Sequence, residues 1–159
     1  MTAFTLVRHG QTDWNVARRY QGQQDIPLNA EGIQQARMLA LILKEKTFDA
    51  IYSSDLQRAM QTAQILKQGR EATVKVDARL REIGFGEWEG KCLDDVRTSF
   101  PMRFTLSQSD PAVPLAPRGE SVFAVAQRTK DFAQEVSQLF PQGNVLVVTH
   151  GLGYSDLPC

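Results

Sequence analysis

With 159 residues, 42% hydrophobic and 23% charged, the chain has the make-up of a single soluble globular domain. Its 18 basic and 18 acidic side chains cancel, which excludes nucleic acid or an anionic membrane as a bulk electrostatic partner. No apolar run is long enough to span a membrane, no leader pattern opens the chain, and Cys92 and Cys159 form neither a disulfide framework nor a metal motif, so a cytoplasmic location is expected.

In chain order, Phe4 to Val7 reads as a strand buried on both faces that runs directly into Arg8-His9-Gly10. Asp13 to Asn15 and a polar loop to Asp25 follow. Asn29 is an N-cap with Glu31 in the first turn, and Ile33, Ala36, Leu39 or Ala40, and Leu43 predict a helix to about Glu45. Asp49 to Ser53 is a second strand. Ser54 or Asp55 then caps a helix that buries Leu56, Ala59, Ala63 and Leu66 and ends near Gly69. Thr73 to Val76 is a third strand, and the glycine-spaced stretch Leu80 to Gly90 reads as loop.

Leu93 to Phe100 predicts a short helix stopped by Pro101, and Ser107 to Gly119, with three prolines, an ordered loop. Ser121 opens a helix carrying Val122, Val125, Thr129, Phe132, Val136 and Leu139 on one face. Pro141 to Asn144 turns into a last buried strand, Val145 to Thr149, which ends in His150-Gly151. Strands alternating with helices predict an α/β fold with a mainly parallel sheet, whose carboxyl edge binds ligands.

Both histidines of the chain end a strand just before a glycine. Arg8, His9, Arg58, Glu82 and His150 therefore form one joint hypothesis. Each alone has an ordinary reading: a strand-end hydrogen bonder, a solvated helix cation, a loop carboxylate. Together they suit an anion. Arginine's planar fork matches phosphate oxygens, a neutral imidazole is a nucleophile toward phosphorus, and a carboxyl group can protonate a leaving oxygen and then activate water.

Leu6-Val7-Arg8-His9-Gly10-Gln11-Thr12, followed by Asn15, resembles the signature of the histidine phosphatase superfamily, the phosphoglycerate mutase-like proteins. Ser53 to Ala59 with Thr62-Ala63, Leu80 to Gly90, Gly119-Glu120-Ser121 and Val148 to Gly151 are similar to its further motifs, in the family's order. The resemblance implies a three-layer αβα sandwich, a single domain over 1–159 with a cap at about 91–118, and no metal or cofactor. It implies that His9 is the phosphorylated nucleophile, that Arg8, Arg58 and His150 hold the phosphoryl group, and that Glu82 is the general acid and base. Asn15 would touch phosphate, while Gln21, Gly22, Gly151 and Thr12 would line the pocket.

Phe85-Gly86-Glu87-Trp88-Glu89-Gly90 and Gln21-Gly22 are most similar to the phosphatase branch, which includes α-ribazole phosphatases and broad-specificity phosphatases. Only Gly90 to Arg118 is available for a cap, shorter than in the family's cofactor-dependent mutases. The expected activity is thus metal-independent hydrolysis of a small phosphorylated metabolite. The alternatives are mutase-type phosphoryl transfer and a catalytically impaired phosphate-binding module. Phe85 and Trp88 are assigned to packing of the glycine-rich loop, and Lys91, Arg103 and Arg118 to solvated charge.

The family usually continues past the last His-Gly with an apolar helix. Leu152 to Cys159 carries no helical stripe and includes Pro158, so the fold reads as shortened at this end. A sheet face left uncovered there is expected to be covered by a homo-oligomer or a neighbouring element.

Overall fold

In the computed structural model, residues 1–102, 105 and 110–151 are described. Four strands, β1 (Ala3–Arg8), β2 (Ala50–Ser53), β3 (Val74–Val76) and β4 (Asn144–Thr149), form one all-parallel sheet in the order β1-β4-β2-β3. β4, with its Val-Leu-Val-Val run, lies inside the sheet and is covered on both faces, which is why it shows no polar alternation. Arg8 pairs with Thr149 and Ser53 with Val148, so β1, β4 and β2 end level at one edge.

Helices α1 (Asp13–Val16), α2 (Ala30–Ile42), α3 (Gln57–Lys67), α4 (Leu93–Ser99) and α5 (Val122–Leu139) complete the described framework. Short 3-10 turns lie at Ala78–Leu80 and Gly86–Trp88. Ala59, Ala63 and Leu66 of α3, with Leu39 and Ala40 of α2 and the following Leu43, pack on Val7, Ile51, Leu146 and Val148. Phe132 and Val136 of α5 pack on the opposite face, against Ala50, Tyr52, Val145 and Val147. Helices on both faces of a parallel sheet make the three-layer αβα sandwich of the phosphoglycerate mutase-like fold. A third cluster, Ile83, Phe85, Trp88, Val96, Ala116 and Val125, sits under the glycine-rich loop. No helix among the described residues is long and apolar enough to cross a membrane.

Several local expectations are corrected. β1 is an edge strand, not one buried on both faces: α5 lies over β4 and β2, and Leu6 is left 70% exposed. Asp13–Val16, to which the sequence reading assigns no element, is helical, because Thr12 caps it and Asn15 closes a capping box. Neither Ser54 nor Asp55 caps α3. The N-cap is Leu56, without a side-chain bond, while Ser54 Oγ accepts from the Leu56 N–H and Asp55 pairs with Arg81. α2 ends at Ile42 rather than Glu45, β3 starts at Val74 rather than Thr73, and Leu139 is exposed. Phe85 and Trp88 are buried in loop packing. The readings of Arg103, of Ser107 to Ser109 and of Leu152 to Cys159 lie outside the described residues.

Candidate active site

Level strand ends bring the two histidines side by side. The His9 N–H donates to the Thr149 carbonyl at 3.1 Å, and the His9 and His150 ring centroids lie 5.1 Å apart. Gly10 lets the chain turn against α2, because a Cβ there would stand 2.3 Å from the Gly32 carbonyl oxygen. The Gly10 N–H donates to the Thr62 hydroxyl, which donates in turn to the Arg58 carbonyl. The loop after β1 is thereby tied to the helix that delivers Arg58.

Two bonds set the tautomer of His9. Nδ1 lies 2.7 Å from the Gly10 carbonyl oxygen, an acceptor only, so Nδ1 carries the proton. Nε2 then keeps its lone pair, and it accepts from Arg58 Nε at 3.3 Å. Burial first, then the nearby Arg58 and Arg8 guanidiniums, push the imidazole down to about 4, so it is neutral at pH 7.

Arg58 is fully buried, and α3 aims it inward. Its Nη1 and Nη2 donate to the carbonyls of Gln24 and Gly22 at 2.7 and 2.8 Å. Those carbonyls fix the guanidinium beside the nucleophile. Burial lowers its proton affinity, and the charges of Glu82, Asp25 and Glu89 oppose that, so it remains a cation. Gly22 holds φ at 52°, which favours glycine, and a Cβ there would run into the Glu89 side chain.

Glu82 follows the 3-10 turn after β3. Its Oε1 accepts from the Ile83 N–H at 2.9 Å, and its carboxyl lines the same cleft as Arg8, His9, Asn15 and Arg58. Burial raises its pKa against the pull of Arg58, Arg8 and Arg128, which favours the protonated acid. His150 has both ring nitrogens buried without a hydrogen-bond partner among the described residues. Burial, then Arg58 and His9, push its pKa well below the usual histidine value. A buried neutral ring of this kind can offer its one N–H donor to an anion beside His9.

The remaining expected residues divide into two groups. Asn15, Gln21 and Gly22 line the cleft with Arg8 and His9. Thr12 does not: it is fully buried, its N–H donates to Asn15 Oδ1 at 3.0 Å, and its hydroxyl lies 2.9 Å from Gln21 Oε1. Its oxygen-side bonds turn the Asn15 and Gln21 amide nitrogens away from Thr12, so Thr12 acts through those two side chains. Gly151 backs Arg8, since a Cβ on it would lie 3.1 Å from Arg8 Nε. Lys91 and Arg118 are exposed, and Arg118 pairs at 3.5 Å with Glu87.

Residue-by-residue reading missed Arg128. From α5 its Nη2 donates to the Glu82 carbonyl at 3.1 Å and its Nη1 to the Arg79 carbonyl at 2.5 Å, and it pairs with Glu120 at 3.1 Å. Glu120 accepts from the Gly84 N–H at 2.8 Å. The Gly119-Glu120-Ser121 motif supplied half of this clamp; the other half lies eight residues on, in a helix whose apolar stripe gives no hint of it.

The model of the histidine phosphatase superfamily (branch 1) matches residues 4–154. A probable phosphoglycerate mutase, GpmB, of Proteus mirabilis is 39% identical over 153 residues, covering 96% of this chain and 71% of that protein. Phosphoserine phosphatase 1 of Hydrogenobacter thermophilus is 33% identical over 159 residues, covering 100% of this chain and 75% of that one. The solved structure of Bacillus stearothermophilus YhfR superposes with a TM-score of 0.87 at 41% identity, covering 97% of this chain and 76% of the other.

Proposed function

The chain belongs to the histidine phosphatase superfamily and is a phosphatase, and from that premise we propose that it hydrolyses a small phosphomonoester through a phosphohistidine on His9. One observation carries the reading. His9 is neutral, with its proton on Nδ1 facing the Gly10 carbonyl, so Nε2 carries an unprotonated lone pair, oriented by Arg58 Nε at 3.3 Å, in a cleft that also holds a carboxyl biased toward its acid form.

Nε2 attacks phosphorus as the P–O bond to the alcohol breaks, and Glu82 gives its proton to the departing oxygen. The Glu82 carboxylate then takes a proton from water while the water oxygen attacks phosphorus. The P–N bond breaks, phosphate leaves, and neutral His9 and protonated Glu82 are restored. Arg8, Arg58 and His150 face the negative charge that builds up on the phosphoryl oxygens, the role that metal ions fill in other phosphoryl-transfer sites. The named relatives act in phosphoserine and phosphoglycerate chemistry, which supports a small phosphorylated metabolite as substrate.

The test is hydrolysis of p-nitrophenyl phosphate in excess chelator, wild type beside His9→Ala. Rapid acid-free quench with radiolabelled substrate reads the phosphoenzyme directly. Turnover and label on the wild type, both absent from His9→Ala, are expected. A His9→Ala protein that keeps most of the activity, or activity that chelator abolishes, overturns the mechanism.

A further inference from the structure

The loop from Gln21 to Asp25 and the segment from Glu82 to Gly90 meet behind the cleft, and the Glu89 side chain stands between them. Its Oε1 accepts from the Gln23 N–H at 2.9 Å and from the Phe85 N–H at 3.1 Å, and its Oε2 accepts from Gln24 Nε2 at 2.9 Å. One carboxylate oxygen thus binds the backbone of both pieces, and a carboxylate has enough lone pairs for all these donors. Gly22 passes so close that a Cβ on it would stand 2.1 Å from Glu89 Oε1.

Glu89 itself is firmly mounted. It closes the 3-10 turn Gly86–Trp88, its N–H donating to the Gly86 carbonyl at 3.2 Å, and the adjoining Trp88 is buried. The far end of the loop is fixed to the first turn of α3, where Asp25 Oδ1 accepts from the Gln57 N–H at 2.6 Å. Gly22 and Gln24, whose carbonyls hold the Arg58 guanidinium, lie in the loop tied down at these two places. On the other side, Phe85 continues the chain from Glu82 through Ile83 and Gly84. Glu89 is not in the wall of the cleft, so it reaches the chemistry through Arg58 and Glu82.

We propose that Glu89 is a positioning residue of this phosphatase, one that locks the loop orienting Arg58 onto the segment carrying Glu82. The inference rests on the phosphatase reading above. What Glu89 supplies is reach and acceptor geometry, since Oε1 must meet two N–H groups on different pieces of chain at once. Without it the two carbonyls that aim Arg58 lose their fixed place, and a displacement of about 1 Å in such a site costs about 10²-fold in rate.

The experiment reads the single-turnover rate of nitrophenolate release from p-nitrophenyl phosphate, a step that depends on Arg58 and little on a proton from Glu82. Glu89→Ala is expected to slow it about 10- to 100-fold. Glu89→Gln keeps Oε1 as the acceptor for both N–H groups and is expected to stay within about threefold of wild type. Glu89→Asp keeps the charge but is one methylene short, and is expected to fall with alanine. In an Arg58→Ala background, Glu89→Ala is expected to cost less than about threefold more, because the group it positions is gone. A harmless Glu89→Ala, an active Glu89→Asp beside an inactive Glu89→Gln, or a full loss that persists without Arg58 overturns the inference. If Glu89→Ala does not fold, the glutamine and aspartate variants decide it. If the wild type turns over no p-nitrophenyl phosphate, the phosphatase reading fails by itself, and calorimetric affinity for inorganic phosphate then tests Glu89 separately. That affinity is expected to be kept in Glu89→Gln and lowered in Glu89→Asp. Equal affinity in both, or none in the wild type, overturns the positioning role as well.

Discussion

His9 and Glu82 share a cleft but are tuned in opposite directions by the same desolvation, which lowers the basic group and raises the acidic one. The result is a neutral base beside a carboxyl biased toward its acid form, the pairing that suits phosphoryl transfer to an imidazole. The roles separate by leaving group. A nitrophenolate departs without help, whereas an alkyl alkoxide needs the Glu82 proton. Glu82→Gln keeps the bond from the Ile83 N–H but cannot donate a proton to the alcohol in the same way. We expect it to slow hydrolysis of an alkyl phosphate by about 10²–10⁴ and that of p-nitrophenyl phosphate far less in the phosphorylation step. Single-turnover rates for the two esters check this. Equal losses would remove Glu82 from the role of general acid.

At the scale of elements, the carboxyl edge is assembled from pieces that arrive separately. β1 and β4 bring the histidines, α3 brings Arg58, and α5 reaches under the Glu82 segment with Arg128. Arg128→Lys keeps the charge but replaces a planar fork with a point donor, which cannot serve the Arg79 and Glu82 carbonyls and both Glu120 oxygens together. Since Glu82 is then held less precisely, kcat is expected to fall about 10- to 100-fold with KM changed much less. A KM-dominated loss would assign Arg128 to binding instead. The contrast between Arg58 and Arg128 also shows what a sequence can display. Arg58 falls inside a local pattern, next to a strand end, and so do His9 and His150. Arg128 takes its meaning from backbone carbonyls 46 and 49 residues away, which no local pattern carries. The same holds for Leu6: an apolar strand residue looks alike at an edge and in the middle of a sheet, and only the order β1-β4-β2-β3 tells them apart. α1 escaped notice because four residues are too few for a period. Its cap, Thr12 with Asn15, was visible, but those residues were assigned to the substrate.

For the molecule as a whole, the tuned site leaves a mark on stability. His9 binds its proton near pH 4 when folded and near 6.5 when unfolded, so between those values the unfolded chain holds more protons and stability falls as pH falls. From pH 6.5 to 5, His9 alone contributes a loss of about 1.5 kcal/mol. His150, lowered for the same reason, adds to the loss. Glu82 acts in the other sense: its raised folded pKa gives stability that is complete below its unfolded value and fades as pH rises through the folded one. Two histidines against one carboxyl group leave the acid side weaker. The melting temperature is therefore expected to drop by roughly 4–8 °C between pH 7 and 5, for a domain of this size. Replacing His9 with Asn removes one titrating group while keeping a polar side chain, and should flatten that slope by about half. A melting temperature that is constant or rises over this range would mean that the histidines are not held neutral in the folded protein. The nucleophile would then have to lose a proton before each turnover, and activity would fall with pH below about 6.5 in step with the histidine charge.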